Sequence, residues 1–182
     1  MMLLLSVETL MNTSSIYSYA KLKLKPSKCR LCQHEISYLG FKVTGDSIRP
    51  DEAKTACIEE WQFSSNITEL RSLIGFLSYH RSFIFGFASR IEPLNKMLRK
   101  NEPIVPTERR LRAFNGLKSA LLNAPALGIY RAQGEIIVDV DSSAVATGAV
   151  CQQKQDDKLV VREFASSCFR NQNEICAQLV EN

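Results

Sequence analysis

Asp139 and Asp141 are the residues whose types and spacing best suit chemistry in this 182-residue chain. They sit in the run EIIVDVD, whose β-branched residues read as a strand. Strand side chains alternate between faces, so residues two apart share one, and two carboxylates there could approach a single hard cation such as Mg²⁺. The plainer alternative is a pair of aspartates on the solvent face of an edge strand. A second candidate is Cys29, Cys32 and His34, a C-x-x-C-x-H group offering the thiolates and imidazole that tetrahedral zinc takes. It lacks a fourth ligand and a second pair, which favours ordinary half-buried thiols. His34 and His80 have no acid or nucleophile nearby in sequence, so packing or surface roles are expected of both rather than general-base work.

Charge points to a partner class. The formal net charge is +4, which permits nucleic-acid binding without demanding it. Its distribution says more: Lys21, Lys23, Lys25, Lys28 and Arg30 crowd one stretch, and Arg109, Arg110 and Arg112 another. Both could form basic patches, with Lys25 and Lys28 the candidate phosphate contacts of the first, against the alternative of a solvated face. A composition 45% hydrophobic and 23% charged is that of a folded globular chain, not a disordered or fibrous one. The apolar opening Met1 to Val7 is too short to span a bilayer, and Glu8 interrupts it without a basic leader or cleavage site, so neither a signal peptide nor a membrane span is expected. Six cysteines without a framework spacing then suggest reduced thiols inside the cell, in cytoplasm or nucleus.

The elements that must position these residues fall into two kinds. Lys21 to Lys25 alternates with leucines in strand fashion, and Ile36 to Thr44 reads as a second extended run ending at the Gly45-Asp46 turn, together suggesting a small hairpin. Pro50 with Asp51 and Glu52 behind it predicts a helix running to about Trp61. Asn66 and Glu69 fit a capping box, and Leu70, Leu73, Ile74 and Leu77 follow on one helical face. Helices are also predicted over Ala88 to Lys100 and, capped by Thr107, up to Pro125. From Gly134 the character changes to three strands, EIIVDVD, GAVCQQ and KLVVREFAS, with Asp156-Asp157 as a turn. Strands after helices, without alternation, imply an α+β chain of separate units rather than one doubly wound sheet.

The order of short motifs carries a resemblance. KLKLKPSKC at Lys21 to Cys29, YLGFKV at Tyr38 to Val43 and IRPDEAK at Ile48 to Lys54 resemble the end of the palm and the entry to the thumb in gypsy-type LTR retrotransposon reverse transcriptases. Glu69 to Gly75 followed by Ser78 to Ile84 is similar to that family's thumb signature, and Glu92-Pro93-Leu94 and Ala124-Pro125-Ala126-Leu127 fall in its order. Val138 to Ser143, then Gly148-Ala149-Val150 and Gln152, look like the first two strands of the family's RNase H domain. No single match would suffice; the specificity lies in their order at family-like spacing across Lys21 to Ser166.

The resemblance implies a palm-end unit with a primer-grip-like β-hairpin over residues 1–49, a helical thumb over 50–106, and a linker helix with a partial RNase H-like antiparallel β unit over 107–182. It implies an RNA-directed DNA polymerase and hybrid ribonuclease as the parent activity, with primer-template or RNA–DNA hybrid as partner and Mg²⁺ as cofactor. Tyr38, Leu39 and Gly40 would grip the primer end, with Arg71 and Arg81 as further nucleic-acid contacts. Gly40 could instead merely relieve crowding in a hairpin. Asp141 would be the first ribonuclease carboxylate and metal ligand, and Asp139 at most its neighbour. Placement at a helix junction makes Phe83, Phe85 and Phe87 core residues rather than base-stacking ones.

Departures limit that inference. Two-metal polymerase chemistry needs palm carboxylates, yet no aspartate precedes Asp46, so the polymerase centre is absent from the sequence. For the ribonuclease, Glu174 comes too early and Glu181 misses the register by about one residue, while Ser167 stands where the family has arginine. Enzymatic activity of the chain by itself is therefore left open, with residual nucleic-acid binding expected. The competing readings are a stand-alone nuclease built on Asp139 and Asp141, and a non-catalytic nucleic-acid-binding or interaction module retained by a host.

Overall fold

Helical periodicity builds the centre of the molecule. In the computed structural model, which describes residues 33–63, 66–100, 102–144 and 146–169, helix α2 (Ile67–Tyr79) buries Leu70, Leu73, Ile74 and Leu77. Asn66 caps it, its side chain accepting from the Thr68 amide at 2.8 Å. Helix α3 (Phe87–Lys96) contributes Phe87, Ile91 and Leu94, and α4 (Glu108–Leu122), capped by Thr107, contributes Phe114, Leu117 and Leu121. These residues form one apolar core with Ile58 and Met97, so α4 packs in the same core as α2 and α3. Each fully buried Leu or Ile is worth about 1.5–3 kcal/mol.

The extended run Ile36 to Thr44 is folded in two. Strands β1 (Glu35–Tyr38) and β2 (Phe41–Thr44) pair antiparallel around Leu39 and Gly40, whose φ angles are +50° and +82°. A two-residue turn with both φ positive matches the natural twist of a hairpin, and Gly40 allows it. Strand β3 (Ser47–Pro50) continues the meander, so Pro50 closes a strand opposite Phe41 instead of opening a helix. Asp51 is the helix cap, accepting from the Ala53 amide at 3.1 Å. The expected helix to Trp61 shrinks to α1 (Glu52–Thr55) and a 3-10 turn at Ala56–Ile58, which delivers Ile58 to the core.

Strand β4 (Leu127–Gly128) pairs with β3 and completes a sheet of order β1-β2-β3-β4. The second sheet is β5 (Ile136–Ser142), β6 (Ala146–Gln155) and β7 (Lys158–Cys168), antiparallel in that order. The Asp156-Asp157 turn joins the last two, at φ +47° and +61°. Among the described residues the architecture is α+β, four α-helices with two antiparallel sheets. The alternating stretch Lys21 to Lys25, the candidate contacts Lys25 and Lys28, and Cys29 and Cys32 lie outside the described residues.

Buried polar groups tie the second sheet to the helices. Ser166 of β7 accepts the Ala88 amide on its hydroxyl at 2.9 Å, and its carbonyl accepts from Arg81 Nη2 at 2.5 Å. Gln153, 1% exposed, accepts from the Arg131 amide and from Arg162 Nη2 and donates to the Arg131 and Gln133 carbonyls. Arg162 also donates to the Ile129 carbonyl. Glycine suits position 128 at this seam, because a Cβ there would stand 2.3 Å from Arg162 Nη1 and 2.5 Å from Val160 Cγ1 and both side chains would have to shift.

Candidate nucleic-acid interface

The hairpin tip is built to be exposed. Tyr38 is 47% and Leu39 66% exposed although both are large and apolar, and Gly40 follows them in the left-handed turn. Tyr79, at the end of α2, donates its phenol proton to the Leu39 carbonyl at 2.6 Å. The basic residues behind the tip are already neutralised: Lys42 pairs with Glu35 and Glu52, and Arg49 with the same two carboxylates. The hydrogen bond and charge of Glu52, with Glu35, hold the Lys42 ammonium above its ordinary range. The tip thus offers shape and apolar surface rather than positive charge.

Positive charge comes from elsewhere. Arg71 stands on the exposed face of α2 and makes no ion pair with a described residue. Gly75, one turn on, is exposed, and a Cβ there would meet nothing within 4 Å. Glycine inside a helix costs about 0.5–1 kcal/mol relative to alanine, and no packing among the described residues requires it here. Sequence reasoning used Gly75 only as a motif letter; the signal was a glycine inside a helical period. Arg81 is exposed, donates through Nη2 to the Ser166 carbonyl and lies over the Phe87 ring, 5.9 Å from its centroid. The expected patch at Arg109, Arg110 and Arg112 is offset by Glu92, Glu102 and Glu108 respectively.

Asp139 and Asp141 are both exposed on β5, the outer strand of its sheet. Gln152 of β6 donates to Asp139 Oδ2 at 2.7 Å, whereas the Asp141 carboxylate receives no hydrogen bond from the described residues. Gly148 is the cross-strand partner of Asp141, so no side chain stands opposite it. Among the described residues no group of three or more His, Cys, Asp or Glu side chains could hold a metal ion.

The other candidates resolve as structural. His80 is 2% exposed, bonded through Nδ1 to the Phe76 carbonyl at 3.0 Å and surrounded by the rings of Phe41, Phe76 and Tyr79; its Nε2 has no partner among the described residues. Burial pushes its imidazole below the usual histidine range. Phe83 and Phe87 are core residues, but Phe85 is 52% exposed and meets Phe164 edge-on at 5.9 Å. His34 is exposed. A groove of about 650 Å³ lined by Trp61, Phe63, Leu70 and Leu73 carries Glu60 and Glu69 on its rim, a charge unsuited to phosphate. No described helix is long and apolar enough to cross a membrane.

The description of an RNase H-like domain found in reverse transcriptase matches residues 107–178. The Retrovirus-related Pol polyprotein from transposon 412 of Drosophila melanogaster is 32% identical over 148 residues, covering 81% of this chain and 12% of the relative. The Transposon Tf2-3 polyprotein of Schizosaccharomyces pombe is 29% identical over 138 residues, covering 76% and 10%. The chain thus spans roughly a tenth of the length of these curated relatives. Its fold is similar to the foamy viral protease-reverse transcriptase in complex with dsDNA, with TM-score 0.72 and 19% identity over 96% of this chain and 39% of that one. The same viral protein in complex with RNA/DNA hybrid gives TM-score 0.70 at 20% identity, covering 91% and 23%.

Proposed function

Because this chain belongs to the Pol polyproteins of gypsy-type LTR retrotransposons, in the region of the reverse transcriptase and its RNase H-like domain, we propose that it holds primer-template nucleic acid, above all an RNA–DNA hybrid. In this reading the tip of Tyr38, Leu39 and Gly40 meets the primer end, Arg71 meets backbone phosphate beside Gly75, and Arg81 serves the seam that fixes the second sheet. Asp141 is the first carboxylate of a ribonuclease centre. The observation that carries the reading is the tip itself: two exposed apolar side chains on a left-handed turn tied down from outside the hairpin.

A divalent metal is the cofactor class of this family, and Mg²⁺ is the ion we propose for it. Such an ion takes one or two carboxylates together with water and substrate phosphate, and it stabilises the attacking and leaving oxygens of the phosphodiester. The described residues do not compose that site by themselves, since Asp139 is engaged by Gln152 and only Asp141 is free. Binding and orientation are therefore the activities proposed for the described residues.

Fluorescence anisotropy with a labelled RNA–DNA hybrid over a salt series tests this. Affinity should fall steeply with salt, Arg71→Ala should reduce the log–log slope by about 1, and Asp141→Asn should leave binding unchanged. Mg²⁺-dependent cleavage abolished by Asp141→Asn would replace the reading with a self-sufficient nuclease. Salt-insensitive or absent binding would remove it.

A further inference from the structure

The turn that makes the hairpin tip is strained where it matters. Leu39 holds φ at +50°, a region where a Cβ crowds the following carbonyl and where asparagine or glycine is the usual occupant. Burial of the leucine does not compensate, because its side chain is 66% exposed. The stabilisation comes from outside the hairpin, where both tip carbonyls find donors: Tyr79 Oη reaches the Leu39 carbonyl at 2.6 Å and the Asp51 amide reaches the Gly40 carbonyl at 3.0 Å.

Tyr79 is itself held in place. Phe41 of β2 stacks on its ring with centroids 5.1 Å apart and planes 20° apart, and His80 meets it edge-on at 5.1 Å. Its Cε1 lies 3.9 Å from where a Cβ on Gly40 would be, so the ring rests against the turn backbone. A tyrosine 50% exposed has water as an alternative partner, and yet its hydroxyl is directed at this one carbonyl.

We propose that Tyr79 is a positioning residue: its phenol latches the Leu39 carbonyl and holds the tip backbone in the left-handed path that meets the recessed 3′ end of a nucleic-acid duplex. This rests on the reading of the tip as a primer-end grip. The latch couples the hairpin to the end of α2, so the tip and the Arg71 face of the same helix present themselves to the ligand as one rigid surface.

The test compares the full chain with its Tyr79→Phe variant, which keeps the stacked ring and removes the hydroxyl alone. Anisotropy is read on two RNA–DNA hybrids of equal length, one with a recessed 3′ end and one blunt, alongside hydrogen exchange at the Asp51 amide, which donates to the Gly40 carbonyl of the tip. The expected result is a recessed-end preference that falls about fivefold, the equilibrium equivalent of one ordinary hydrogen bond, with blunt-end affinity unchanged and faster exchange at that amide. Retention of the preference, or its loss without faster exchange, overturns the latch. No recessed-end preference in the unsubstituted chain instead removes the grip reading, a distinct failure. Should Tyr79→Phe melt early, the two hybrids are compared at a temperature where circular dichroism shows both chains folded; loss of the preference there supports the latch, and its retention overturns it.

Discussion

His80 shows how one side chain can change meaning between sequence and structure. Its imidazole is buried among Phe41, Phe76 and Tyr79, and that burial disfavours the protonated form in the fold. A base whose folded pKa lies below its unfolded value adds stability that is fully present above the unfolded value, about 6.5, and is lost as pH falls toward the folded one. Within that window the slope reaches about 1.4 kcal/mol per pH unit. Urea midpoints measured at pH 7.5 and 5.5 should show a drop for the natural chain that His80→Phe largely removes. An unchanged drop would mean that carboxylate titration elsewhere dominates.

At the scale of elements, the decisive feature is the seam between β7 and the start of α3. Ser166 satisfies the Ala88 amide there, and both residues are buried. Removing the hydroxyl by Ser166→Ala leaves a buried N–H without a partner, which costs about 1–3 kcal/mol. A chemical-denaturation midpoint shifted by that amount, with far-UV circular dichroism unchanged, is the expected outcome; no shift would show that water replaces the hydroxyl. The nearby Gln153 and Arg162 satisfy the turn backbone at Arg131 and Gln133 and the end of β4 at Ile129. This seam fixes the Asp141 sheet against the helices, and Arg81 joins it through a β7 carbonyl.

At the scale of the whole molecule, β5 leaves an apolar edge uncovered among the described residues. Strand β5 is the outer member of its sheet, and Ile136, Val138 and Val140 project from one of its faces with exposures of 55%, 55% and 66%. An exposed apolar edge strand without lysine or proline is a template for pairing with another chain. Sedimentation velocity at rising concentration should show self-association that Val138→Lys suppresses, while the substitution changes stability by no more than about 0.5 kcal/mol. Persistence of the larger species would place the contact on another surface, such as the acidic aromatic groove at Trp61 and Phe63.

The sequence by itself determined what repeats locally. The apolar spacing of Leu70, Leu73, Ile74 and Leu77, the caps Asn66 and Thr107, the turn at Asp156-Asp157 and the three late strands depend on neighbours a few residues away, and all are where periodicity and turn chemistry put them. Motif order likewise sufficed to identify the Pol family. Tertiary structure decided whatever depends on distant partners. Strand β4 is two residues long and exists only because β3 and β7 receive it; Pro50 ends a strand because Phe41 pairs with it. The same holds at the candidate site. The types of Asp139 and Asp141 were legible, but that Gln152 occupies one and Gly148 leaves the other open is a matter of register. The bond from Tyr79 to Leu39 spans forty positions of chain, a separation that no local pattern encodes.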